Sequence, residues 1–196
     1  WNKYNKKESY ISHAVKLTNT QAVNKLLSKR KYRYLQNNEQ LKKIEFKKLN
    51  INKNLKEIEM FYDILYVSKQ IYSVTPTHTL DEIIILLNLF PNEIELYISL
   101  NQNKIIGGYM ILHANTNTSL AFYNVILNKS KYKQVAMLQL YHSMKLAKQR
   151  GQQFIDFGVS HLPEDENPLA PKFSLIQFKE QLGAVGVQRT AYYKGL

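Results

Sequence analysis

Residues 94–127 read IELYISLNQNKIIGGYMILHANTNTSLAFYNVIL, and within them the spacing of apolar side chains is that of strands. Ile94, Leu96 and Ile98 alternate with Glu95, Tyr97 and Ser99, which puts one set on each face of an extended chain. Asn101 to Lys104 supplies a turn, Ile105 to His113 returns as a second strand, and Asn115 to Thr118 turns the chain again. Ser119 to Leu127 is a third strand, rich in aromatic and branched residues. Connections this short make the three strands an antiparallel meander.

Working outward, Met137, Leu140, Tyr141, Met144 and Ala147 mark one face of a helix, with Gly151 where a left-handed residue closes it. Phe154 to Phe157 is a short buried strand, so this helix serves as a right-handed crossover between parallel strands. A proline-bearing loop follows from Leu162 to Pro171. Ser174 and Gln177 then have capping-box spacing, Gly183 ends a short helix, and Val185 to Tyr193 is the last strand. Upstream, Ile58, Phe61, Tyr62, Leu65 and Tyr72 recur at helical steps between Leu55 and Tyr72. Thr79 and Glu82 form a capping box for a helix that stops at Pro91. Ile44 and Phe46 suggest a strand, and Gln21 to Leu41 fits a basic amphipathic helix. Residues 1–19, polar and without period, read as a linker or the end of a missing element.

The net charge of +12 is concentrated early: residues 1–60 carry 15 Lys or Arg against 5 Asp or Glu. Such a segment either attracts a polyanion or is a solvated helix face. The expected division is therefore a basic N-terminal extension, 1–40, and one α/β domain, 41–196. Cysteine is absent, which excludes a thiolate nucleophile, a thiolate zinc site and a disulfide framework and suits the cytoplasm. No apolar run approaches the roughly 20 residues of a membrane-spanning helix. The chain opens on Trp1, so it is read as a fragment whose upstream part is missing.

The order strand, two helices, meander, helix, strand, helix, strand resembles the GNAT fold, an α/β architecture whose mixed central sheet runs from antiparallel meander to parallel crossover. Residues 40–194 resemble its Fem-type and BioF2-like branch. The likeness is carried by Pro76 to Glu82, Gly107-Gly108-Tyr109, Ala121-Phe122-Tyr123-Asn124, Asp156-Phe157-Gly158 and, most specifically, Phe178-Lys179-Glu180-Gln181-Leu182-Gly183-Ala184. The resemblance implies an acyltransferase in which the third meander strand and the following parallel strand splay apart where acyl group and acceptor meet.

Tyr123 and Asn124 would then lie where an acyl carbonyl is held, with backbone N–H groups to stabilise an oxyanion; Tyr123 reads equally as a core aromatic. The glycine-rich loop of acetyl-CoA-dependent relatives is missing. In its place Lys129, Lys131 and Lys133, with Gln134 at the helix start, either hold donor phosphates or form a solvated loop. The resemblance gives Lys179 a role in neutralising phosphate or transition-state charge, beside a packing Phe178. His161 and Glu164 are candidates for the general base. His78, Asp156 and Ser174 are candidates for acceptor binding, although Asp156 reads better as a structural group in its turn. No ligand spacing joins the histidines, and no metal is expected.

Acetyl-CoA or another acyl-CoA is the expected donor, with aminoacyl-tRNA, the Fem-type donor, as the rival. The acceptor is expected to be an amine or hydroxyl of a small molecule or of a glycan or peptide precursor of the cell envelope. A non-catalytic module that holds a polyanion is the alternative of a different class.

Overall fold

Branched and aromatic residues from Ile94 onward build the middle of one seven-stranded mixed sheet. The computed structural model of the chain describes residues 6–17, 21–127, 131, 132, 134–161, 167 and 169–193. Strands β1 (Lys6–Lys16), β2 (Ile44–Lys48), β3 (Ile94–Asn101), β4 (Lys104–Leu112), β5 (Thr118–Ile126), β6 (Phe154–Val159) and β7 (Val185–Tyr193) lie in the order β2-β3-β4-β5-β6-β1-β7. The meander is antiparallel as read. Its first turn places Gln102 and Asn103 at φ 50° and 62°, the two left-handed residues a tight hairpin requires.

Helix α5 (Val135–Gln149) carries the chain from β5 to β6, which pair in parallel. Gly151 follows at φ 76°, a conformation glycine adopts without steric cost. Helices α3 (Leu55–Gln70) and α4 (Leu80–Leu89) cover the opposite face. The cap of α4 is reciprocal: Glu82 N donates to Thr79 Oγ1 at 3.2 Å, and Thr79 N donates to Glu82 Oε2 at 2.7 Å. On the α5 side Tyr109, Ile111, Met137, Met144 and Ile155 share a core; on the other, Ile58, Phe61, Ile83, Leu96 and Met110 share a second. Among the described residues no helix is long and apolar enough to cross a membrane.

Three sequence readings are corrected. Residues 1–19, expected to be a linker or the end of a missing element, form from Lys6 to Lys16 a strand wedged between β6 and β7 and antiparallel to both. Its period was masked because buried Ser12 and His13 are polar, each satisfied by a hydrogen bond to a distant partner. The single basic helix over 21–41 is a 3-10 turn (Val23–Leu26), then α1 (Lys29–Asn37) and α2 (Glu39–Lys42). Ser28 and Asn38 interrupt it, each taking backbone N–H groups of the following turn on its side-chain oxygen. The capping box expected at Ser174 does not form: α6 (Phe173–Glu180) begins two residues earlier, with Lys172 instead of Ser174 at its cap. There Lys172 N donates to Ser160 O at 2.7 Å, so a tertiary bond fixes the helix entry and Ser174 is left exposed inside the first turn.

Gly108 sets the spacing between β4 and α3. A Cβ there would lie 2.5 Å from Tyr97 O and 2.7 Å from Phe61 Cδ2. Gly108→Ala is therefore expected to destabilise the fold by roughly 1–3 kcal/mol through overpacking, readable as a lower urea midpoint with an unchanged slope.

Candidate functional site

The parallel pair β5 and β6 is short. Thr118, Ser119 and Leu120 align with Phe154, Ile155 and Asp156, and beyond that point the two strands run on unpaired with each other. β6 turns away at Gly158, whose φ of 76° belongs to the left-handed region. The turn is fixed from inside: Asp156 Oδ1 accepts from Gly158 N at 2.7 Å and from the Ser12 hydroxyl at 2.5 Å. The opening is a cavity of about 490 Å³, with Tyr123 and Asn124 on one wall and Phe157, His161, Phe178 and Lys179 on the other.

Lys179 is only 6% exposed although it carries an ammonium. From the last turn of α6 its Nζ donates to Gly158 O at 2.8 Å, Val159 O at 2.7 Å and Ser160 Oγ at 3.0 Å, so all three protons go to the end of β6. Burial pulls its pKa down to about 8, opposed in part by the Asp156 charge. The side chain thus satisfies two carbonyls that β5 does not, and fastens the departing strand to α6.

Across the cavity the Tyr123 hydroxyl accepts from His78 N at 3.3 Å and lies 3.2 Å from His78 Nδ1. Burial pushes the Tyr123 hydroxyl pKa up, so it stays protonated near neutrality. The His78 ring also packs on Phe122, with centroids 5.4 Å apart. Asn124 Nδ2 donates to Ala136 O at 3.0 Å, while its Oδ1 is buried without a partner among the described residues. His161 stacks on Tyr10 at 5.9 Å and 15°, and its Nδ1 is likewise buried and unpartnered.

The sequence candidates therefore separate. Tyr123, Asn124, His161, Phe178 and Lys179 line one cavity, and His78 reaches it through the Tyr123 hydroxyl. Asp156 does not line it: its carboxylate holds Ser12 and Gly158 and lies 3.6 Å from Arg189, as its structural reading has it. Ser174 lies outside it too. Lys131 lines a cleft of about 350 Å³ with Lys43, Tyr34 and Tyr132. Gln134 lines a neighbouring one of about 780 Å³ with Arg30, Lys31 and Arg33, and accepts from Lys31 Nζ. Gln134, Val135 and Ala136, consecutive at the start of α5, each line a different one of the cavity and the two clefts. Lys129, Lys133 and Glu164 lie outside the described residues. Sequence reasoning missed His13 and Ser160, which join Lys179 in a buried chain, because they are 147 residues apart and no local pattern links them.

No protein-family model and no curated protein matches the chain. Among solved structures, FemX superposes with a TM-score of 0.69 at 11% identity, over 94% of this chain and 61% of that one. The chain shares its fold with FemX. A conserved protein of unknown function from Bacteroides thetaiotaomicron VPI-5482 superposes with a TM-score of 0.61 at 10% identity, over 96% of this chain and 62% of that one. An aminoglycoside acetyltransferase from an uncultured soil metagenomic sample, in complex with trehalose, gives a TM-score of 0.50 at 13% identity, over 71% and 88% of the two chains. The fold is thus the GNAT-like one that the sequence leads one to expect. At these identities the likeness is one of fold, and the chain spans less than two thirds of the length of FemX.

Folding lowers the Lys179 pKa from the ordinary 10.5 to about 8. Between those values the folded chain holds fewer protons than the unfolded chain, so this group makes stability rise with pH across that window; below it the full cost of burying the charge is present. The melting temperature of the wild type relative to Lys179→Met is expected to climb from about pH 8 upward. A difference that stays level with pH in differential scanning calorimetry would contradict this.

Proposed function

We propose that this chain is an acyltransferase domain that moves an acyl group, most simply acetyl, from an acyl-CoA to an amine or hydroxyl of a small-molecule, glycan or peptide precursor of the cell envelope. The observation that carries the reading is the parting of β5 from β6 over a cavity, with two basic clefts lined from the same first residues of α5. An acyl donor with a phosphate-bearing handle has both kinds of surface to meet. Its phosphates suit Arg30, Lys31, Arg33 and Lys131, with Lys129 and Lys133 nearby in sequence, and the positive end of α5. Its acyl carbonyl suits the β6-facing edge of β5, where pairing with β6 stops at Leu120.

In the transfer the acceptor's lone pair attacks the carbonyl carbon, and the carbonyl electron pair moves onto oxygen. Backbone N–H groups of β5 and the protonated Tyr123 hydroxyl, held by His78, suit that oxyanion. His161 is assigned the proton released by the acceptor, because its Nδ1 is enclosed beside the cavity with no partner among the described residues. The collapsing intermediate expels the thiolate, which takes up that proton. Lys179 keeps β6 away from β5 while Phe178 and Asn124 shape the walls.

Aminoacyl transfer from aminoacyl-tRNA is the second reading. It is favoured by the lack of glycine between Asn128 and Gln134 and by the breadth of the Arg30 cleft. Thermal shift separates the readings: a donor present at 100 times its Kd stabilises the folded state by about 2.7 kcal/mol. Coenzyme A at millimolar concentration is expected to raise the melting temperature, and Lys31→Glu to weaken the effect. No shift with coenzyme A but a shift with tRNA, together with aminoacyl transfer, would favour the second reading. RNA binding that falls steeply with salt, with no turnover of any donor, would instead make the chain a binding module.

A further inference from the structure

Lys179 is the near end of a buried chain of hydrogen bonds. Its Nζ donates to Ser160 Oγ at 3.0 Å, and Ser160 Oγ lies 2.7 Å from His13 Nδ1. Ser160 and His13 are 0% and 2% exposed, so neither can exchange its partner for water without the strands moving. His13 sits on β1, opposite Gly186 of β7, and Ser160 N donates to Ile11 O of the same strand. The chain thus leads from the wall of the cavity to the centre of β1.

We propose that Ser160 and His13 are positioning residues for Lys179: they fix its Nζ at the end of β6 and tie the charge on that amine to the tautomer of His13. The geometry leaves two self-consistent arrangements. With Lys179 as an ammonium, its third proton goes to Ser160 Oγ, the hydroxyl proton goes to His13 Nδ1, and the imidazole carries its own proton on Nε2. With Lys179 as a neutral amine, two protons still serve Gly158 O and Val159 O. Its lone pair now accepts the Ser160 hydroxyl, and Ser160 Oγ must be fed by a proton on His13 Nδ1. Going from the first arrangement to the second, one proton leaves Nζ, the ring proton moves from Nε2 to Nδ1, and the Ser160 hydroxyl turns from His13 to Nζ. His13 stays neutral in both, since burial lowers its pKa and, in the first, the Lys179 charge lowers it further.

Other charged groups bear on the switch. Asp156 of β6 and Glu180 of α6 favour protonation of His13, and Asp156 also favours the Lys179 ammonium. Arg189 of β7 lies 3.6 Å from Asp156 and offsets part of that influence. In the acyltransferase reading, on which the functional part of this inference rests, the switch sets the charge that lines the cavity beside the reacting carbonyl.

The test reads His13 directly, by nitrogen-15 NMR of the full chain labelled at histidine. In the wild type His13 is expected to pass from the Nε2–H to the Nδ1–H tautomer with a midpoint at about pH 8. Lys179→Met and Ser160→Ala should each abolish that step while leaving the other histidine signals in place. His13→Asn, which keeps an acceptor for the Ser160 hydroxyl, should retain a Lys179 amine whose pH-dependent reactivity toward an acylating reagent matches the wild type. His13→Leu should shift that midpoint and, where transfer is measured, slow it about tenfold near neutral pH. A His13 that keeps one tautomer through this range, or switches equally well in K179M, overturns the proposal. A tautomer switch in a chain with no transferase activity overturns the acyltransferase reading and leaves the coupling standing.

Discussion

The site depends on ending one strand pairing early. Two parallel strands in mid-sheet ordinarily continue side by side, because every unpaired peptide group left in a dry interior costs free energy. Here the carbonyls of Gly158 and Val159 are taken by an ammonium from α6, and the N–H of Gly158 by the Asp156 carboxylate. The sheet opens because side chains replace the missing ladder. Burying the Lys179 charge is unfavourable in itself, as its lowered pKa records, and three well-placed acceptors offset that cost.

The other half of the sheet has the opposite character. β3 is buried along both faces from Ile94 to Ser99, and Gly108 lets β4 press against α3 at a separation no side chain would tolerate. Glu95, inside this region, accepts from Lys48 at 2.7 Å, Arg150 at 3.1 Å and the Tyr97 hydroxyl at 3.0 Å. Burial pushes its carboxyl pKa up, yet these donors and His113 outweigh it and hold the group well below the usual carboxylate range. This carboxylate ties β2, β3 and the end of α5 together, so the opening at β5 and β6 is framed by a firmly packed meander.

Local features were legible in the residues alone: the meander, its Gln102-Asn103 turn, the Thr79 capping box and the glycine after α5 all arise from contacts within a few positions. The splay was legible through the likeness carried by Phe178-Lys179, and the cavity lies where that likeness implies. What Lys179 bonds was not, since its acceptors lie about twenty residues earlier on a different element. β1 was hidden for a related reason: satisfied polar groups at Ser12 and His13 erase the apolar alternation by which a strand is recognised. At Ser174 a correct local signal was overruled by the bond from Lys172 to Ser160, a tertiary contact that moves the start of α6.

The place of β1 between β6 and β7 also orders events at the ribosome. Lys16 meets Phe154 and Lys6 meets Tyr193, so β1 must wait for β6 before it can pair along one edge and for β7 before it can pair along the other. Until β6 emerges the meander and its helices can assemble from near neighbours, while the polar Ser12 and His13 stand without their partners. Closing a loop of that span adds to the entropic barrier and delays completion of the sheet. A nascent chain that reaches only to Lys179 therefore holds every residue that lines the cavity, while one edge of β1 still waits for β7.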